Sequence, residues 1–203
     1  MPPRRTEFAQ PKMPILPRQR DIYPDDLLEA RDGDAGGELA ALGRHWVAFY
    51  TLSRREKDLM RKLEGAAVPF YAPLVRRRLH SPGGRVRTSF VPLFPGYVFA
   101  VVDDEQRRAA LATNTVARWI SIADERMLVD DLRAIKRLID TEKPLTPEAR
   151  IEPGQLVRVR TGALRGVEGT VVQRRNVERL VVAVRFLNQG VSIELEDVDL
   201  ERL

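Results

Sequence analysis

Side chains able to do covalent or acid–base chemistry are few in this sequence. There are two histidines, His45 and His80, and no cysteine. Disulfides, thiolate metal sites and cysteine nucleophiles are therefore excluded. Two histidines give little material for a zinc site or a histidine general base. Carboxylates are plentiful, but the adjacent pairs Asp103-Asp104 and Asp130-Asp131 stand where helix N-caps are expected. No glycine-rich phosphate loop accompanies them. An enzyme is not expected, and neither is a metal or an organic cofactor. What the chain does carry is concentrated positive charge. Its formal net charge is +5, yet residues 44–90 alone hold eleven Lys/Arg against three Asp/Glu. Such a local field attracts a polyanion through counterion release.

The elements that must carry these groups follow from periodicity. Six of the fourteen prolines fall in the first 24 residues, and Asp32-Gly33-Asp34-Ala35-Gly36-Gly37 is turn chemistry. Residues 1–43 are expected to be a mostly disordered extension, with at most a short helix near Asp26 to Arg31. Trp46 to Leu52 reads as a strand. Ser53 and Glu56 match a capping box, opening a helix to about Gly65 whose buried stripe is Leu59, Met60 and Leu63. Val68 to Val75, interrupted by Pro69 and Pro73, reads as an edge strand. Arg76-Arg77-Arg78, the turn Ser81-Pro82-Gly83-Gly84 and the return from Arg85 to Val91 make a basic hairpin. Pro92-Leu93-Phe94-Pro95-Gly96 turns into a strand from Tyr97 to Val102. Asp103 or Asp104 caps a helix, Val116 to Ile122 is a further strand, and Asp130 caps a last helix with Leu132, Ile135, Leu138 and Ile139 inward.

Residues 141–150 contain Pro144, Pro147 and charges without apolar period, and read as an interdomain linker. Beyond it come five short strands in residues 151–203, which suggest a small closed barrel. The expected core there is Val182, Val184, Phe186, Ile193 and Leu195, which leaves Leu187 outward. Gly162, Gly166 and Gly169 supply positive φ or close backbone approach in the loop between its first strands. No apolar run is long enough for a transmembrane helix. Arg4 and Arg5 precede no apolar stretch of secretory-signal length. The protein is expected to be cytoplasmic and monomeric, without a membrane partner.

Two segments carry a resemblance. Residues 155–172, from Gln155 through Gly162, Gly166 and Gly169 to Val172, resemble the KOW motif. Pro92-Leu93-Phe94-Pro95-Gly96-Tyr97-Val98-Phe99, with Trp46 to Tyr50 upstream, is similar to the NusG family of transcription elongation factors. The resemblance runs from about Arg44 to Leu203. It implies an α+β fold: an N-terminal antiparallel or mixed sheet flanked by helices over 44–140 (NGN-like), then a five-stranded SH3-like KOW β-barrel over 151–203.

By that resemblance, Tyr50, Phe94, Tyr97 and Phe99 form an aromatic cavity for the clamp helices of the RNA polymerase β′ subunit. Arg54, Arg55, Lys57 and Arg61 on the first helix, and Arg76, Arg77, Arg78, Arg85 and Arg87 on the hairpin, lie along upstream or non-template DNA. Leu187 stands where the family places an exposed aromatic that binds Rho or a small-subunit ribosomal protein. Its being leucine is consistent with a specialised RfaH-like paralogue, although the valine-rich C-terminal strands favour a barrel over a helical hairpin at rest. The function implied is suppression of pausing or termination, with the barrel recruiting a second partner. The alternative is an RNA-binding or ribosome-associated KOW protein.

Overall fold

The computed structural model describes residues 19–29, 42–80, 86–148, 150, 154–174, 177–195 and 200–203; the side chains at 78–80, 86, 87 and 174 lie outside that description, as does the rest of the chain. The fold is mixed α+β, with antiparallel sheets and three helices among the described residues.

The first sheet has the order β1-β3-β6-β2-β7. Its strands are β1 (Ile22–Tyr23), β2 (His45–Thr51), β3 (Phe70–Tyr71), β6 (Tyr97–Val102) and β7 (Val116–Ser121). The strands alternate as the sequence requires. Trp46 lies opposite Val101, Ala48 opposite Phe99 and Tyr50 opposite Tyr97, so these six share one face. Val47, Phe49, Val98, Ala100 and Val102 share the other and are buried under α1 (Glu56–Gly65) and α2 (Asp104–Ala112), with Leu59, Met60, Leu63 and Ala110. The first face is covered by α3 (Glu125–Asp140) through Leu128, Leu132 and Ile135. Both faces are therefore covered within the chain.

Four local expectations are corrected. Residues 19–29 are not a loose extension: β1 pairs with β3, Leu28 is buried, and the Arg133 Nε donates to the Leu28 carbonyl at 2.7 Å. With β1 on its outer side, β3 is not an edge strand. Ser53 does not cap α1, whose N-cap is Arg55 with no side-chain hydrogen bond. α3 is capped by Asp124, which accepts from the Met127 N–H at 2.8 Å, so Asp130 and Asp131 lie inside the helix. Its apolar stripe reaches back to Leu128, one turn before Leu132, and that draws the start upstream. The reading of Asp103 holds: it accepts from the Gln106 N–H at 2.8 Å in a reciprocal capping box.

The basic hairpin forms a separate two-stranded ribbon, β4 (Leu74–His80) with β5 (Val86–Pro92). Its turn, at 81–85, falls outside the described residues.

The C-terminal sheet has the order β13-β9-β10-β11-β12-β8, from β8 (Thr146–Glu148), β9 (Gln155–Val159), β10 (Glu168–Arg174), β11 (Val177–Val184), β12 (Gln189–Glu194) and β13 (Leu200–Arg202). The expected five strands become six, and among the described residues no ladder joins the outer strands β13 and β8 into a closed barrel. The extra strand comes from the expected linker. The Ser192 Oγ donates to the Glu148 Oε1 at 2.7 Å, and the Arg179 guanidinium donates to Ser192, Glu194 and Thr146. A stretch with no apolar period is thus held by polar pairing, which hydrophobic periodicity does not report. Gly162 and Gly166 have φ of +76° and +81°. At Gly169 a Cβ would lie 2.6 Å from the Val181 carbonyl oxygen, so only glycine fits. Of the expected core, Val182, Val184 and Ile193 are buried, while Phe186 and Leu195 are half-buried.

Candidate functional site

The four aromatic residues expected to line one cavity separate by burial. Phe94 and Phe99 are sealed, at 2% and 0% exposure. Phe99 packs in the cluster with Trp46, Leu128, Leu132 and Ile135 because α3 roofs its face of the sheet. Neither ring can meet a partner in this arrangement, which corrects the expectation of a cavity lined by all four. Tyr50 and Tyr97 remain half-exposed. As a cross-strand pair their rings meet edge to face, with centroids 5.1 Å apart. The Arg118 guanidinium, on the strand beside β2, lies 5.0 Å from the Tyr50 ring centroid. The surface is thus two phenol rings and a guanidinium rather than four rings.

The sequence did not single out Arg118, although alternation in β7 places it beside Tyr50. It also missed what holds the rings. Glu56 is buried at the start of α1, and its Oε1 accepts from the Gly96 N–H at 2.7 Å. Gly96 has φ of +86°, and its carbonyl accepts from the Thr51 N–H at 2.8 Å.

The basic residues also sort themselves. Lys57 donates through Nζ to the Phe90 carbonyl, fastening α1 to the ribbon. Arg55 and Arg61 both reach Asp58, at 3.4 and 3.5 Å. Arg54 is exposed, with φ of +60°. Arg76 and Arg77 are exposed on β4 and form no ion pair among the described residues. The side chains of Arg78 and Arg87, and all of Arg85, fall outside the description. The two expected groups therefore differ in charge: the one on α1 is partly neutralised, while Arg76 and Arg77 on the ribbon are open.

Leu187 does not stand free. It belongs to the turn Arg185–Leu187 after β11 and is half-buried against the cluster that joins α3 to the C-terminal sheet. The neighbouring Arg185 makes three hydrogen bonds to Asp131 of α3. Its backbone N–H donates at 2.8 Å, Nε at 2.9 Å and Nη2 at 2.7 Å. Burial pushes the Asp131 carboxyl above its ordinary range, outweighing the opposing pull of Arg185. A cleft beside this clasp is lined by Asp130, Arg133, Arg137, Gly166, Ala183 and Arg185.

No group of His, Asp and Glu among the described residues could hold a metal ion, and no described helix is long and apolar enough to cross a membrane.

A family model described as transcription termination factor nusG matches residues 44–145. The chain belongs to the NusG family. The match spans the first sheet from β2 onward, the basic ribbon and all three helices, so every half-exposed ring and open arginine above lies in the NusG unit. NusG proteins are non-enzymatic transcription factors that bind RNA polymerase. A comparison with curated proteins gives no match.

Proposed function

We propose that this protein is a transcription elongation or antitermination factor that binds the clamp helices of the RNA polymerase β′ subunit and suppresses pausing or termination. The observation that carries the reading is the half-exposed Tyr50–Tyr97 pair, edge to face at 5.1 Å, on the sheet of a NusG unit. Accessible, rigid rings with a polar tip are what interface anchors use, because they lose little conformational freedom on docking. Holding the clamp closed by ~1.4 kcal/mol changes a pausing equilibrium tenfold. The second, C-terminal sheet is the KOW unit of this reading, recruiting a ribosomal protein or Rho near Leu187 once the Asp131–Arg185 clasp opens.

Capture of core polymerase by the full chain tests it. Tyr50→Ala and Tyr97→Ala are each expected to lower affinity at least tenfold, in the range of about 2 kcal/mol typical of an interface anchor. A folded double variant that still captures polymerase would sink the reading. Strong RNA affinity with no polymerase capture by the unaltered chain would instead favour an RNA-binding KOW protein.

The open ribbon arginines, in the same reading, run along duplex DNA upstream of the polymerase. Each phosphate neutralised on duplex DNA adds about 0.9 to the salt slope of binding. Arg76→Ala with Arg77→Ala is expected to reduce that slope by about two, measured as log affinity against log salt. Arg55→Ala is expected to change it less, because Asp58 already offsets that charge. Equal slopes for the two variants would remove the ribbon from the DNA path.

A further inference from the structure

Glu56 is a buried carboxylate in the first turn of α1, where the helix dipole favours its charge but leaves its oxygens to be engaged elsewhere. It is 8% exposed, it does not take part in a capping box, and no Lys, Arg or His pairs with it among the described residues. A carboxylate in such a place costs more than an apolar side chain of the same size unless its oxygens are engaged. The engagement seen is with the backbone of one residue, the Gly96 N–H at 2.7 Å, forty positions along the chain. That residue is the one against which Tyr50 lies. A Cβ on Gly96 would stand 2.9 Å from the Tyr50 Cε2, and the positive φ of 86° keeps that side of the turn bare. The same turn is closed by the Tyr97 N–H donating to the Phe94 carbonyl at 3.1 Å, and tied to β2 by the Thr51 N–H donating to the Gly96 carbonyl. Glu56 thus grips the turn against which the half-exposed Tyr50 ring lies and from which Tyr97 follows.

We infer that Glu56 is a positioning residue: its carboxylate fixes the Gly96 turn so that Tyr50 and Tyr97 present their edge-to-face pair to polymerase. The inference rests on the reading of that pair as the polymerase contact, and it adds a residue that polymerase itself does not touch. α1 is packed through Leu59, Met60 and Leu63, none of which is Glu56's partner, so ring geometry and global stability are read separately.

The test compares Glu56→Ala and Glu56→Gln in the full chain, with Gly96→Ala as a second perturbation from the ring side. Three readouts are taken: amide exchange at Gly96, ring-to-ring NMR cross-peaks between Tyr50 and Tyr97, and affinity for core polymerase. Glu56→Ala is expected to speed Gly96 exchange at least tenfold, weaken the ring cross-peaks and lower polymerase affinity about tenfold, with the global melting transition nearly in place. Glu56→Gln keeps an acceptor oxygen for the Gly96 N–H and is expected to restore all three. Gly96→Ala displaces the Tyr50 ring with Glu56 intact and is expected to lose affinity likewise. Slow Gly96 exchange and intact ring cross-peaks in Glu56→Ala would overturn the inference. So would Glu56→Gln behaving like Glu56→Ala, because the hydrogen bond would then not be the cause. Should Glu56→Ala fail to fold, Glu56→Gln and Gly96→Ala still decide it: unchanged ring cross-peaks in Gly96→Ala would overturn it. Disturbed rings together with full polymerase affinity, in these variants and in Tyr50→Ala alike, would leave the positioning in place and refute the polymerase reading instead.

Discussion

Replacing Phe99 by alanine is expected to destabilise the first sheet rather than to report on contact with polymerase. Phe99 has no exposed surface and belongs to the apolar cluster that also holds Trp46 and the α3 residues Leu128, Leu132 and Ile135. Truncating a buried phenylalanine costs about 3–5 kcal/mol, from lost transfer energy and the cavity left behind. In a chain of this size that is a fall of about 10 °C in Tm. Tyr97→Ala, half-exposed on the same strand, is expected to shift Tm by much less while lowering polymerase capture more at a temperature where both variants are folded. The check is paired: thermal melts, then capture of core polymerase well below either transition. If Phe99→Ala left Tm unchanged, the roof that α3 places over this face would be wrong. Four rings clustered in sequence and by analogy, but packing divides them into two that hold the sheet and two that can meet a partner.

Asp131→Ala is expected to free the C-terminal sheet from α3. Asp131 receives three hydrogen bonds from Arg185, and the pair bridges the two sheets' units at the edge of their common apolar cluster. A hydrogen bond to a charged group contributes about 1.5–3 kcal/mol when shielded. Here the Arg185 side chain is 57% exposed, so solvent screening keeps the whole clasp near the low end of that range. A loss of about 1.4 kcal/mol still moves the docked population tenfold. Separate rotational correlation times for the two units, from 15N relaxation, are expected in Asp131→Ala, against a single time in the unaltered chain. One shared time in both would mean that the apolar contacts hold the units together without the clasp.

The pH dependence of this clasp runs against simple ion-pair intuition. Because burial raises the Asp131 carboxyl in the folded chain, that chain holds its proton to higher pH than the unfolded chain does. The stability this contributes is full below the unfolded value, about 3.9, and is lost as pH rises through the folded value. The stability of the unaltered chain relative to Asp131→Asn is therefore expected to increase on acidification through that window and to be flat above it. Melts of both proteins across the acid range measure it, and a difference that shrinks on acidification would contradict the sign.

How far the sequence could be read depended on the range of the interactions. β2 and β6 were legible because strict alternation of Trp46, Ala48 and Tyr50 with Val47 and Phe49 is a local signal. Asp103 was legible as a cap because its partner, Gln106, is three residues away. Glu56 matched the same local pattern with Ser53 and was misread, because the Gly96 N–H competes for it across forty residues. β1 escaped notice because two residues beside a proline carry no periodicity; only the edge offered by β3 makes them a strand. The burial of Phe99 could not be seen either. A strand apolar on both faces says that two covers exist, but not that one of them is a helix of the same chain.

The stitching of β8 has a bearing on distance. With Thr146–Glu148 sewn to β12, only residues 141–145 bridge the end of α3 and the C-terminal sheet. Five residues, even pulled straight, cover about 17 Å at roughly 3.4 Å each. A released C-terminal unit would therefore swing on a short leash and stay beside the surface that α3 presents. Longer excursions require Glu148 to leave Ser192 and Thr146 to leave Arg179, so the polar stitch sets the radius within which that unit can move.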